Sequence, residues 1–176
     1  MKFQFSLKSL TLILLFSLSY SKNKNKERMK NLYGENKEII GYYDKKLSVS
    51  CNNGIFVGIE KDDVLSFKGI PFAKPPIGNL RWKNPILAED NNKVYEAYFF
   101  GNSPIQTEWP SELGSYYPQS EDCLKLNNIW LNTKNNSKDK TIMVFIHGGS
   151  YGWGGTSDPI YDMTDIILFK NIQILF

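Results

Sequence analysis

The residues best suited to chemistry form a glycine-rich loop over 147–155, directly after an apolar segment. That segment, residues 141–146, consists mostly of β-favouring apolar residues and predicts a strand buried on both faces. Consecutive glycines after a strand allow backbone N–H groups to turn toward one point, as an oxyanion hole requires. The loop therefore predicts stabilisation of a negative charge that develops on a substrate oxygen.

Residues 148–152 also satisfy the Gly-x-Ser-x-Gly pattern of a serine-hydrolase nucleophile, with Ser150 at its centre. A nucleophile elbow leads directly into a helix. Ser150 is instead followed by further glycines and then by Pro159, which a starting helix does not tolerate. The pattern therefore favours a loop position for Ser150 over a nucleophilic role.

Other catalytic chemistries find no support in the residue types and spacings. The single histidine, His147, and two distant cysteines give no zinc-ligand spacing. The glycine loop lacks both the Lys-Ser/Thr of a P-loop and a complete Gly-x-Gly-x-x-Gly. Glu121 and Asp122 are neighbours in extended chain, so their carboxylates point to opposite faces. We therefore predict neither a metal nor a cofactor.

The segments around the loop indicate an α/β organisation. Alternating residues over 47–68 predict a small antiparallel sheet with its hairpin turn at 61–63. Four prolines over 69–85 indicate a rigid surface loop. Further strands are predicted over 94–99, 124–131 and 172–176, with a helix over 162–169 and a polar loop over 132–140. Because the predicted strand at 172–176 is apolar and has no polar tail, we expect that the chain stops before the domain is complete. The alternative is an edge strand that closes a small domain.

The N-terminal residues predict export. Two lysines precede a nine-residue apolar run over 10–18, and small serines stand at the two positions that signal peptidase inspects. We therefore predict a signal peptide over 1–21, cleavage after Ser21, and a periplasmic or secreted protein. Retention as a membrane anchor is the alternative, but a spanning helix needs roughly 20 apolar residues, so no stable membrane insertion is expected after cleavage.

Positive charge is concentrated near the N-terminus. Residues 1–46 carry ten Lys/Arg against four Asp/Glu, whereas residues 47–176 carry eleven against fourteen. A solvated Lys/Asn-rich linker is predicted over 22–46. The body shows no basic patch with interleaved aromatic residues, so we predict no nucleic-acid partner.

Cys51 and Cys123 would lie in an oxidising compartment after export, where disulfides persist. Their spacing alone leaves two alternatives open, a Cys51–Cys123 disulfide or two free or buried thiols.

Three motifs in order resemble the type-B carboxylesterases and cholinesterases. Residues 67–82 resemble the opening signature of that family, and residues 120–127 its second signature. The run His-Gly-Gly at 147–149 resembles its oxyanion loop, and residues 157–162 continue the match. The resemblance extends over about 53–162 and implies the α/β-hydrolase fold. Only the N-terminal part of that fold is expected here, a small antiparallel sheet plus the first strands of the central sheet, as a truncated domain over 47–176.

The same resemblance implies roles for individual residues. It assigns the oxyanion hole to the backbone of Gly148, Gly149 and Ser150. The catalytic Ser, Glu or Asp, and His arrive in that chain order after the oxyanion loop, which places them beyond Phe176. His147 lies within the loop, where the family does not use it as the base.

The function implied is the N-terminal part of an exported serine esterase acting on a small-molecule carboxylic ester. Because this part holds no nucleophile, acid or base, it is expected to be inactive by itself. The alternative is a non-catalytic cholinesterase-like protein for adhesion or partner binding, which rests on fold analogy.

Two structural pairs also follow from the resemblance. The glutamate of the second signature pairs with the arginine of the first in the family, which implies a salt bridge from Glu121 to Arg81. Family members also bridge the cysteine at Cys123 to one in an upstream Cys-Pro-Gln segment. The corresponding residues 102–106 contain no cysteine, so that disulfide is expected to be absent.

Overall fold

The computed structural model describes residues 31–107, 118–131, 141–170 and 172–175. The predicted signal peptide, its cleavage site, the start of the predicted linker and the predicted polar loop at 132–140 lie outside these ranges. Within them, no helix is both long and apolar enough to cross a membrane.

Eight strands and one α-helix organise the described residues. The strands are β1 (Ser48–Cys51), β2 (Gly54–Val57), β3 (Ile59–Lys61), β4 (Val64–Pro71), β5 (Val94–Glu96), β6 (Lys125–Leu131), β7 (Ile142–Val144) and β8 (Gln173–Leu175). The helix, α1, spans Thr164–Lys170. A three-stranded sheet has the order β1-β2-β5, and a five-stranded sheet has the order β3-β4-β6-β8-β7.

The hairpin predicted at 61–63 forms between β3 and β4, with Lys61 opposite Val64. Its two turn residues, Asp62 and Asp63, have φ of 52° and 62°, a region that aspartate tolerates better than most residues. The prediction of one antiparallel sheet over 47–68 is wrong. β1 and β2 pair antiparallel and take β5 as a parallel neighbour, whereas β3 and β4 join the larger sheet. The division arises because β6 provides β4 with a long antiparallel partner.

A bulge interrupts β4 within the first family-like motif. The register with β6 shifts between Phe67 and Ile70. At the bulge, Gly69 has a φ of 67°, and a Cβ there would lie 2.6 Å from the carbonyl oxygen of Phe99. Only glycine fits such a position. The N–H of Gly69 donates to the Asn127 side-chain oxygen at 2.9 Å, which ties the motif to β6.

The chain before β1 also contacts the folded body. Ile39 N–H donates to the carbonyl of Val94 at 2.8 Å, and Glu96 N–H donates to the carbonyl of Lys37 at 2.9 Å. Asn36 extends the same contact through its side chain, which donates to the Lys68 carbonyl at 2.8 Å. Of residues 31–46, the part of the predicted linker that the structure describes, residues 36–39 therefore lie along β5 and β4.

The apolar core is formed by β2, β4 and the residue after β5. The side chains buried together in this cluster are Phe56, Leu65, Phe67, Ile70 and Ala97. A second buried contact involves α1, which packs on β4 and β6. Ile167 of α1 and Ile174 of β8 are both fully buried. β8 is thus an interior strand, between β6 and β7.

The strand predicted at 141–146 forms as β7, but the prediction that both of its faces are buried is wrong. β7 lies at the end of the five-stranded sheet and pairs in parallel with β8. Ile142 and Val144 are 59% and 64% exposed, and Ile146 is 86% exposed. An outermost strand has a neighbour on one side, and among the described residues no element covers these three side chains. Apolar composition predicted the strand correctly but not how far its side chains are buried.

Candidate oxyanion loop

The glycine loop leaves the C-terminal end of β7 and turns back sharply. The N–H groups of Gly152 and Trp153 both donate to the carbonyl oxygen of Gly149, at 2.9 and 3.3 Å. The two residues inside the turn, Ser150 and Tyr151, have φ of 54° and 62°. This left-handed conformation costs a residue with a Cβ roughly 1–2 kcal/mol. Strain of this kind persists where the surroundings hold the backbone, and it is concentrated at functional sites.

Gly149 is the position where the turn requires a glycine. Its φ is 124°, and a Cβ there would lie 1.8 Å from the carbonyl oxygen of Trp153. Any side chain would therefore collide with the backbone of the returning chain. The close approach of these two residues makes the turn compact.

The three predicted oxyanion donors differ in what their amides contact. The Gly148 N–H donates to the hydroxyl of Tyr161 at 3.3 Å. For the amides of Gly149 and Ser150, the structure gives no acceptor among the described residues. Among the three predicted donors, the Gly149 and Ser150 amides thus differ from the Gly148 amide, which is already bound by a side chain.

Ser150 does not lie in a nucleophile elbow. Turn and bend conformations follow it, then a short 3₁₀ turn over Pro159–Tyr161, and α1 begins at Thr164. The ring Nδ1 of His147 lies 2.9 Å from the carbonyl oxygen of Gly148. Because a carbonyl only accepts hydrogen bonds, this nitrogen donates to the neighbouring backbone. The geometry around Ser150 is that of a loop residue.

Gln106, which lies between β5 and β6, binds the C-terminal end of the loop. Its side-chain Nε2 donates to the carbonyl oxygen of Gly154 at 3.0 Å. The Gly154 N–H in turn donates to the Gln106 Oε1. Both backbone groups of one loop residue are therefore bound by a single side chain located 48 residues earlier in the chain.

Two further side chains hold the residues that follow. Asn127 is buried on β6, and its Nδ2 donates to Thr156 Oγ1 at 2.8 Å. Since its Oδ1 accepts from Gly69, this asparagine connects the bulge of β4 to the residue that directly follows the glycine loop. The Tyr33 hydroxyl hydrogen-bonds the buried Ser157 hydroxyl. The loop is thus anchored by residues from three separate segments.

Sequence reasoning missed these anchors. Asn127 belongs to the second family-like motif and was available as a candidate. Gln106 and Tyr161 also lie in segments compared with the family, at 102–106 and 157–162, but Tyr33 lies in none. No periodic pattern marks any of these residues, because a side chain that bonds distant groups leaves none.

Lys68 is a half-buried cation that interacts with the segment following the loop. The Lys68 Nζ lies 4.9 Å from the centroid of the Phe100 ring. Burial lowers the pKa of Lys68, and the carboxylate of Asp162 acts in the opposite direction. The charge of Lys68 is therefore balanced in part by the chain just beyond the glycine loop.

The salt bridge implied by the resemblance is present. Arg81 Nη2 lies 3.3 Å from Glu121 Oε1, and the Arg81 guanidinium lies 5.5 Å from the centroid of the Trp82 ring. Both charged side chains are more than one third exposed, so the pair contributes about 1 kcal/mol or less. It attaches the proline-rich loop to the chain preceding β6.

Both cysteines are free. The alternative of a Cys51–Cys123 disulfide is therefore not realised. Burial raises the pKa of the Cys123 thiol, and the carboxylates of Glu121 and Asp122 raise it further. Since the thiolate is the reactive form, a raised pKa lowers the thiolate fraction of this cysteine at neutral pH.

Comparison with known proteins identifies the family of this chain. The sequence profile of the Carboxylesterase family matches residues 45–174. The chain is 39% identical over 119 residues to the para-nitrobenzyl esterase of Bacillus subtilis (strain 168), covering 65% of this chain and 23% of that protein. It is 36% identical over 117 residues to the cholinesterase of Mus musculus, covering 62% of this chain and 19% of that protein. A solved structure of a thermophilic PNB esterase superimposes with a TM-score of 0.69 at 31% identity, covering 74% of this chain and 27% of that one.

The strand, the glycine loop and these similarities together define the class of protein. The described residues are a sheet-rich part of an α/β-hydrolase fold. The chain belongs to the carboxylesterase family. It spans between 19% and 27% of the length of the relatives named above.

Proposed function

We propose that this chain supplies the oxyanion-binding part of a carboxylic-ester hydrolase that transfers the acyl group of a small-molecule ester to a serine and then to water. The turn at Gly149 and Ser150 carries the proposal. It presents two adjacent amides at the C-terminal end of a strand, with no acceptor for them among the described residues. In acyl transfer the carbonyl oxygen of the substrate becomes negative, and preorganised N–H donors stabilise it there.

The proposal assigns no nucleophile, acid or base to these 176 residues. Ser150 lies in a tight turn, and the single histidine of the chain is His147, whose ring bonds the neighbouring backbone. In the family order the serine, the acid and the histidine all follow the oxyanion loop. The 176 residues by themselves are therefore inactive, because an oxyanion hole without a nucleophile lacks the covalent route.

Export is part of the same proposal. It is supported by the lysines and the apolar run that precede Ser21. Mass spectrometry of material secreted by an expressing host tests it, and the first residue of the mature chain should be Lys22. A chain that retains Met1 would contradict it.

The purified chain gives the first test of the chemistry. Turnover of a short p-nitrophenyl ester should equal a buffer blank, and an organophosphate should not label Ser150. Turnover above the blank together with labelling of Ser150 would make this serine a nucleophile and overturn the assignment of the loop.

A chimera gives the second test. Residues 45–174 of this chain replace the matching segment of the Bacillus subtilis para-nitrobenzyl esterase, and kcat is measured on a p-nitrophenyl ester beside the intact esterase. A folded chimera with measurable serine-dependent turnover supports the proposal, whereas a folded but inactive chimera contradicts it and favours a non-catalytic relative.

Within the chimera, Ser150→Ala is the informative variant. It keeps the backbone N–H, so kcat should fall by less than about tenfold, whereas loss of an oxyanion donor costs about 10² to 10³. Proline at this position would delete the N–H, but it cannot adopt the φ of 54° found at Ser150. A loss of activity far beyond tenfold in Ser150→Ala would show that the hydroxyl itself takes part.

A further inference from the structure

We propose that Gln106 is a positioning residue for the oxyanion loop, and that its side-chain amide sets the position of the two donor amides through Gly154. The inference rests on the proposed function of the loop. Gln106 itself lies on a different segment, between β5 and β6, and bonds the backbone at the far end of the turn.

The two hydrogen bonds to Gly154 fix both its position and its orientation. One runs from Gln106 Nε2 to the Gly154 carbonyl at 3.0 Å, and the other from the Gly154 N–H to Gln106 Oε1. A carboxamide that donates and accepts at the same residue restrains both peptide units that flank Gly154, one through the N–H and the other through the carbonyl. A lone donor or a lone acceptor would restrain only one of them.

Gly154 is coupled to the turn that contains Gly149 and Ser150. Its neighbour Trp153 donates its N–H to the Gly149 carbonyl at 3.3 Å. The Trp153 carbonyl also packs so closely on Gly149 that no Cβ fits between them. Because Gly149 and Ser150 are consecutive, a shift of Gly154 would move the amides that face the anion.

Gln106 is itself held in place. Its backbone N–H donates to the Gln119 side-chain oxygen at 3.0 Å. Ser103 N–H donates to the Pro118 carbonyl at 2.8 Å, and Ser120 N–H donates to the Ser103 carbonyl at 2.9 Å. Residues 103–106 and 118–120 therefore form a hydrogen-bonded clasp that presents the Gln106 side chain to the loop.

The clasp lies where the family resemblance leads one to expect a disulfide from Cys123 to the upstream segment. Cys123 is free, and residues 102–106 hold no cysteine. Hydrogen bonds, rather than a covalent bond, consequently hold this segment in position beside the loop. The contribution of Gln106 to the loop is therefore not duplicated by a cross-link.

Hydrogen exchange in the 176-residue chain tests the contact without any assay of activity. Gln106→Leu removes both bonds at similar volume, and exchange of peptides covering 148–156 should accelerate about 5- to 100-fold, the range expected when two net hydrogen bonds are lost. Gln173→Leu is the matched control, because its side chain bonds Asn128 and not the loop. That control should leave exchange over 148–156 unchanged.

Equal exchange over 148–156 in Gln106→Leu and in the unmodified chain would overturn the proposal. If Gln106→Leu also accelerates exchange over β1 and β2, that variant reports general unfolding and a second variant is needed. Gln106→Glu then decides, since its carboxylate keeps the acceptor for Gly154 and loses the donor. Acceleration confined to 148–156 supports the proposal, and its absence contradicts it.

The chimera measures the consequence for catalysis. Because oxyanion contacts strengthen in the transition state, Gln106→Leu should lower kcat by about 10- to 100-fold and leave KM within about twofold. The kcat of Gln106→Glu should lie between those of Gln106→Leu and the unmodified chimera. The control Gln173→Leu should have the kcat of the unmodified chimera. A rise in KM at constant kcat, or no change in either, would overturn the positioning role.

The two experiments separate this inference from the proposed function. If the unmodified chimera is folded but inactive, the proposed function fails, and the exchange data still decide whether Gln106 holds the loop. If the chimera is active and Gln106→Leu is as active as the parent, the positioning role fails and the proposed function stands.

Discussion

The core around β4 and the glycine loop after β7 are held by different forces. In the core, apolar side chains bury one another, and Phe67 is only 1% exposed. In the loop region the preceding strand shows Val144 at 64% exposure. The loop itself is held by side-chain hydrogen bonds to single backbone or hydroxyl groups, such as those of Gln106 and Asn127.

This difference assigns separate roles to the two regions: the core provides most of the stability, and the hydrogen bonds fix the position of the loop. Burial of apolar surface contributes a large free energy that does not depend on direction. It therefore favours the compact state but does not select one conformation of a loop. Hydrogen bonds contribute little net free energy each, yet they require particular distances and angles. A core mutation should therefore change global stability, and a loop-anchor mutation should mainly change local geometry.

The largest expected difference separates Phe67→Ala from Val144→Ala. Removing the buried ring should lower the free energy of unfolding by about 3–5 kcal/mol, whereas trimming the exposed valine should change it by about 0.5 kcal/mol or less. Urea denaturation followed by circular dichroism measures both. Similar losses in the two variants would mean that β7 is buried in solution.

Asn127→Leu is expected to have the next largest effect. It leaves the Gly69 N–H and the Thr156 hydroxyl without their partner, at a cost of about 1–3 kcal/mol in unfolding free energy. The exposed Asn84, changed to Leu, provides the control and should be neutral. Equal stability of the two variants would show that water replaces the contacts of Asn127 at no cost.

Ser150→Gly should increase stability relative to Ser150→Ala by about 1 kcal/mol. Both variants lose the hydroxyl, but alanine retains the Cβ that makes a φ of 54° unfavourable. Thermal unfolding of the two proteins gives the comparison. An alanine variant as stable as the glycine variant would indicate that the turn relaxes to another conformation.

The smallest expected effect belongs to the pair Arg81 and Glu121. A double-mutant cycle with alanine at each position should give a coupling energy of about 0.2–1 kcal/mol that declines at high salt. A coupling above about 2 kcal/mol, insensitive to salt, would place the pair in a drier environment than the structure shows.

Local features of the sequence determined most of the secondary structure. The turn at Asp62 and Asp63 follows from acidic residues between alternating segments, and the strand before the glycine loop follows from β-favouring apolar residues. The argument that Ser150 is no elbow nucleophile also needed only its neighbours, because glycines and a proline oppose a following helix. These predictions depend on interactions within a few residues, which the sequence displays directly.

The tertiary structure alone decided which surfaces are covered and what holds the loop. The division into two sheets depends on β6 pairing with β4, and the exposure of β7 depends on its place at the end of the sheet order. The contact of Gln106 with Gly154 joins residues 48 positions apart. Composition specifies what a segment prefers, but partners that meet only after folding determine where its side chains lie and which backbone groups they bind.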